Sequence, residues 1–191
     1  TEVTVGEFRA FAGERFTDEK CSHYNKKPFF KKTWAKPPFD QTEKHPVVCV
    51  SFNNAQAYAA WLSDKTGEVY RLPTASEWQY INQQIRPSHN CQSANVAGSE
   101  VADENKATDQ PLKCSDNYIF TAPIQSFAAK LNINDYNGNV AEWVSNCSGN
   151  NSCASGSSWR SGQGVDNNKM VTLPADETFS HVGFRLIKEI K

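Results

Sequence analysis

The chain carries six cysteines, Cys21, Cys49, Cys91, Cys114, Cys147 and Cys153, and this even set constrains the fold more than any hydrophobic pattern in it. Six cysteines allow about fifteen connectivities in principle. There is no CxxC pair, and His23, His45, His89 and His181 do not approach one another at ligand spacing, which argues against a structural zinc site. Sequential pairing closes loops of moderate length around the three least regular stretches, where each bridge contributes on the order of 2–4 kcal/mol. The expected bonds are therefore Cys21–Cys49, Cys91–Cys114 and Cys147–Cys153. Three disulfides imply an oxidising compartment, whether periplasm, cell surface or secreted medium; six buried thiols in a reducing cytosol are the alternative.

A framework of cross-links suits what else the chain contains. Leu, Ile, Val and Phe supply only 37 of 191 residues, while the 20 Lys and Arg nearly balance 21 Asp and Glu, so collapse is not opposed by net charge. Twenty-two aromatic residues, each burying roughly 150–250 Å², point to an aromatic-rich core. The length fits one domain over residues 1–191. The near-zero charge excludes an electrostatic nucleic-acid footprint, and the isolated basic-aromatic run Lys26, Lys27, Phe29, Phe30, Lys31 and Lys32 reads as a solvated loop. No apolar stretch approaches the roughly 18 residues that span a bilayer, so this segment inserts no part of itself into a membrane. A start at Thr1 instead of Met reads as a piece excised from a longer chain.

Thr4 and Glu7 form a capping-box pair ahead of Phe8 and Phe11, predicting a helix over Val5 to Ala12. Ala55, Tyr58, Ala59 and Leu62 repeat at helical spacing, predicting a second helix from about Asn54 to Lys65, ended by Gly67. Thr74 and Glu77 open a third, with Trp78 and Ile81 facing inward. Val47–Val50, Val69–Leu72, Trp143–Val144 and Val182–Ile187 read as strands. From Arg86 to Asn139 there is little periodicity, and so long a structureless stretch needs something to organise it, either a disulfide or bound ions.

Asn132–Trp143 is the most chemically loaded segment. Asp135, Asn137 and Asn139 match the opening of an EF-hand loop, but position six is Val140 instead of Gly and position twelve is Asn146 instead of Glu. Spacing alone leaves two readings open: a polar Asn-Gly turn before a strand, or Asp135 and Glu142 holding a hard cation together with carbonyls of the turn.

Eight segments in order resemble the formylglycine-generating enzyme, or sulfatase-modifying factor, family. They are Glu2-Val3-Thr4 with Phe8 and Phe11; His45–Val48 with Val50-Ser51-Phe52; Ala55, Tyr58 and Trp61; Arg71–Thr74 with Glu77-Trp78; Thr121–Ile124; Gly138-Asn139-Val140 with Glu142-Trp143; Gly156–Trp159; and Val182–Arg185. The resemblance implies an α+β, C-type-lectin-like fold, rich in loops, with short strands and two to three helices. It also implies up to two structural Ca²⁺ ions. Asn95, Val96, Asp116 and Tyr118 match the first site; Asp135, Gly138, Val140 and Glu142 match the second, which favours the cation reading of that turn. Binding energy at a site absent from the unfolded chain becomes folding energy, so two ions would order the Arg86–Asn139 stretch.

The family's oxidases bind copper through two cysteines separated by four residues after a Gly-Gly-Ser-aromatic motif. Counted from Gly156-Ser157-Ser158-Trp159, those positions hold Ser161 and Asp166, neither of which offers the thiolate that Cu(I) prefers. No copper is therefore expected, nor is the histidine-carboxylate cluster of a mononuclear iron branch present. The resemblance then points to a non-catalytic ligand-binding or sensor module in the bacterial periplasm or outside the cell, such as the sensor part of a Ser/Thr kinase or of another membrane-anchored protein. Its ligand, a small molecule, glycan or peptide, would lie at Trp159, Arg160, Ser161, Gln163 and Asp166, with Trp159 as an aromatic platform. The alternatives are an oxidase that uses unmatched residues and a diversified lectin-like display protein, towards which Asn167 and Asn168 hint.

Overall fold

Three reciprocal capping boxes set the helices. In the computed structural model, which describes residues 1–13, 15–16, 20–22, 32–104, 110–147 and 150–190, α1 spans Val5–Ala12 behind Thr4, with the Glu7 carboxylate accepting from the Thr4 N–H at 2.8 Å. Its boundaries are those read from the sequence. Helix α2 spans Phe52–Thr66 and starts two residues earlier than expected, because Ser51 is the N-cap and Asn54 the reciprocal third residue: Ser51 N–H donates to Asn54 Oδ1 at 3.0 Å. Gly67 ends it in the left-handed region. Helix α3, Ala75–Ile85, follows Thr74. Lys26, Lys27, Phe29, Phe30 and Lys31 of the basic-aromatic run lie outside the described residues.

The largest sheet has four strands in the order β5-β4-β3-β7: Ala141–Cys147 (β3) pairs antiparallel with Asn150–Ser155 (β4) and parallel with Val182–Gly183 (β7), and Met170–Thr172 (β5) flanks β4. Two-residue ladders join Cys21–Ser22 (β1) to Thr178–Phe179 (β6) and Tyr70–Arg71 (β2) to Ile187–Lys188 (β8).

Two expected strands are corrected. Val47–Val50 is buried but is not a strand: Val47 N–H donates to Val3 O and Cys49 N–H to Phe179 O, two different partners, and Cys49 has φ 60°, which breaks a ladder. Val182–Ile187 is two short strands on different sheets, because Phe184 and Arg185 leave the pleat between them to enter the interior.

The interior is aromatic, as the shortage of aliphatics requires. Phe8 has its ring 5.2 Å from Trp34, 5.9 Å from Tyr58 and 6.2 Å from Phe184. Trp143 is fully buried and donates its indole N–H to Val50 O at 2.9 Å. A smaller cluster stacks Tyr136 on Trp78 with ring centres 4.2 Å apart. All three expected disulfides are present, and no cysteine is free. Among the described residues no helix is long and apolar enough to cross a membrane.

Candidate functional site

The long loop between α3 and β3 contains one 3-10 helix, Ser99–Glu104, and is otherwise irregular where it is described. Many of its polar groups are met by side chains, above all by Asn139. This buried amide accepts from Asn95 Nδ2 at 3.1 Å and Ala122 N–H at 2.8 Å, and donates to Glu2 Oε2 at 2.8 Å and Ala122 O at 3.2 Å. Glu2 in turn accepts from Val140 N–H at 3.3 Å.

The residues matched to the first cation site are brought together. Asp116, 6 % exposed, accepts from Val96 N–H at 2.7 Å through one oxygen and from Tyr118 N–H at 2.9 Å through the other. Asn95 is fully buried, its amide nitrogen is used by Phe120 O and Asn139, and its Oδ1 has no hydrogen-bond partner. An orphaned buried oxygen is costly unless something electropositive meets it. Burial pushes the Asp116 carboxyl up to about 6, the neighbouring Glu100 charge adding to it while the two backbone N–H groups oppose the shift. Among the described residues no Lys or Arg pairs with Asp116. Oxygen donors gathered without a counter-charge suit a hard cation such as Ca²⁺.

The second set is more complex. Glu142 is fully buried, and both its oxygens are held by Arg185, at 2.5 and 2.6 Å. The same guanidinium donates to Asp135 O at 3.0 Å. Asp135 accepts from Gln125 N–H at 2.7 Å. Gly138 has φ 79°, and a Cβ there would overlap the carbonyl of Asn95, so the turn packs directly on the first site. Burial raises the pKa of Glu2, Asp135 and Glu142 alike. Among the described residues Arg185 is the cationic side chain that faces all three of these acidic groups. Sequence reasoning missed Arg185 as the partner of Glu142 and Glu2 as the third carboxylate, although both lie inside family-like segments. A cleft of about 320 Å³ opens beside Asp135, Tyr136 and Asn137.

The candidate ligand surface divides. Trp159 is a core residue with no exposed face, edge-on to Phe39 at 5.7 Å and Phe120 at 5.2 Å, so the expected aromatic platform is corrected: in an aliphatic-poor interior this indole fills the core. Arg160 is also buried, its guanidinium 3.3 Å from the His181 ring. Gln163 is exposed and donates to Pro111 O at 2.8 Å. Ser161 and Asp166, by contrast, line one cleft of about 270 Å³ together with Ser158, Lys169, Leu173 and His181. The loop bearing Ser161 is tied to the segment that follows Asn95 and Val96, since Ala97 N–H donates to Ser161 O at 3.0 Å.

The architecture has known counterparts. PvdO from Pseudomonas aeruginosa is 24% identical, with a TM-score of 0.75 over 99% of this chain and 78% of that one. CarF is 20% identical, with a TM-score of 0.64 over 100% and 85%, and Treponema denticola variable protein 1 is 19% identical, with a TM-score of 0.59 over 97% and 81%. At these identities the likeness is one of fold, and it is the α+β, C-type-lectin-like fold that the resemblance implied. The model of the sulfatase-modifying factor enzyme 1-like domain matches residues 1–190, and the chain belongs to that family.

Proposed function

We propose that this domain is a non-catalytic, calcium-braced ligand-binding module that works on the extracytoplasmic side. One observation carries the reading: all six cysteines are in disulfides, and Ser161 and Asp166, which the family resemblance matches by counting to the oxidases' copper cysteines, line an open cleft. A carboxylate and a hydroxyl there cannot supply soft thiolate ligation. They can bind polar groups. Ser158, Ser161, Asp166, Lys169 and His181 offer donors and acceptors of both charges around a volume suited to a monosaccharide or a single peptide side chain, so a glycan or peptide is the ligand class. The disulfides support a periplasmic or extracellular setting, and a sensor role for a larger membrane-anchored protein fits a cleft without chemistry of its own.

Ca²⁺ completes the proposal. Asn95, Val96, Asp116 and Tyr118 would hold one ion, and Asp135, Gly138, Val140 and Glu142 a second, both bracing the loops behind the cleft. The test of the non-catalytic reading is oxygen uptake with Cu(I) and a cysteine-containing peptide. No uptake and no stoichiometric Cu(I) binding are expected; turnover by the wild-type protein would overturn the reading.

A further inference from the structure

Glu100 belongs to none of the positions the family resemblance supplies, yet it lies at the first cation site. It is the second residue of the Ser99–Glu104 3-10 helix, and its carboxylate folds back so that Oε1 accepts from Gly98 N–H at 3.1 Å. Gly98 makes this possible: a Cβ there would meet the two Glu100 oxygens at 2.6 and 2.7 Å and would overlap the Cys114 carbonyl. Ser99 N–H donates to that carbonyl at 2.7 Å, pinning the turn to the Cys114–Asp116 segment, and Cys91–Cys114 closes the loop around it. The second oxygen, Oε2, is buried without a hydrogen-bond partner, as is Asn95 Oδ1. Among the described residues no Lys or Arg pairs with Glu100. Half-buried Glu100 lies within hydrogen-bond reach of Asp116, and two carboxyl groups so placed must share a proton or be joined by a cation.

We infer that Glu100 is an additional, chain-specific carboxylate ligand of a divalent cation at the first site, alongside Asp116 and Asn95. This rests on the calcium reading above and goes beyond it. The disulfide loop Cys91–Cys114 delivers a second negative charge to a site that otherwise has one, and charge count sets the affinity of oxygen-ligated Ca²⁺ sites. The Gly98 N–H contact is retained by Gln, so Glu100→Gln removes the charge while keeping the shape.

The experiment is calorimetric titration of Ca²⁺ into chelator-stripped protein, together with thermal unfolding in chelator and in Ca²⁺, for wild type, Glu100→Gln and an exposed control, Asp64→Asn. Glu100→Gln is expected to weaken the tighter Ca²⁺ site about tenfold or more. In chelator its melting temperature should equal or exceed that of wild type, because one of two repelling carboxylates is gone; a merely structural Glu100 would lower it. Wild-type Ca²⁺ affinity in Glu100→Gln overturns the assignment alone. Absence of Ca²⁺ binding by wild type overturns it together with the calcium reading. Asp64→Asn should behave as wild type in both measurements.

Discussion

The amide of Asn139 accepts from Asn95 Nδ2 at 3.1 Å, and the Asn139 backbone N–H donates to Asn95 O at 2.7 Å, so one residue pair joins the two loops that carry the candidate cation sites. Every polar atom of the Asn139 side chain has a partner, while Asn95 keeps one oxygen without any. The pair thus sets a fully satisfied buried amide beside one with an unpartnered oxygen.

Asn139→Ala removes four buried hydrogen-bond contacts and strands Glu2, Ala122 and Asn95. Each stranded group costs about 1–3 kcal/mol, so the variant should lose at least about 3 kcal/mol in denaturant unfolding. A loss under about 1 kcal/mol would mean that water replaces the amide.

Arg185→Met leaves Glu142 charged and unpaired in the interior, which costs about 3–5 kcal/mol. Glu142→Gln keeps one acceptor but turns an amide NH2 towards the guanidinium and leaves Arg185 as the unpaired buried charge, so it should cost a comparable amount, and the double variant should lose less than the sum of the two. Additive losses, read from urea midpoints, would show that the two side chains act through packing and not as a charge pair.

Asp116 gives a pH signature. Its folded value near 6 exceeds its ordinary value of 3.8, so the folded state binds the proton more tightly than the unfolded chain does. In chelator, the contribution of Asp116 is therefore fully present below about pH 4 and is lost as pH rises through about 6. Ca²⁺ competes with that proton, so calcium stabilisation should grow over the same window. The difference between wild type and Asp116→Asn, measured as melting temperature against pH, isolates the effect; a difference that does not change between pH 4 and 6.5 would contradict it.

Removing the Cys91–Cys114 bridge should cost on the order of 2–4 kcal/mol through the unfolded chain. Because Glu100 and Gly98 lie inside that loop, the double Cys→Ala variant should also lose Ca²⁺ affinity, unlike a variant lacking Cys147–Cys153. Calorimetric titration of both variants makes the comparison.

What the sequence revealed follows from the range of the forces involved. Helix α1 was legible because Thr4, Glu7, Phe8 and Phe11 act within one turn. The start of α2 was misplaced because Asn54 is a weaker capping partner than Glu and reads as a beginning. Val47–Val50 carried a strand composition, but the positive φ of Cys49 is imposed by its disulfide and by Phe179, both distant in sequence. Trp159 follows a polar Gly-Ser-Ser run and reads as surface, yet Phe39 and Phe120 converge on it from far along the chain. Glu100 has no local pattern at all; only the fold sets it beside Asp116. The disulfides were readable because sequential loops leave few geometrically modest alternatives.

In the proposed reading Ca²⁺ is part of the folded structure. The most direct measurement is the melting temperature of wild-type protein, stripped with chelator and then titrated with Ca²⁺ at pH 7. An ion that binds only the folded state at a hundred times its dissociation constant adds about 2.7 kcal/mol. A saturable rise that excess chelator reverses is expected. A melting temperature that is the same in chelator and in millimolar Ca²⁺ would contradict it.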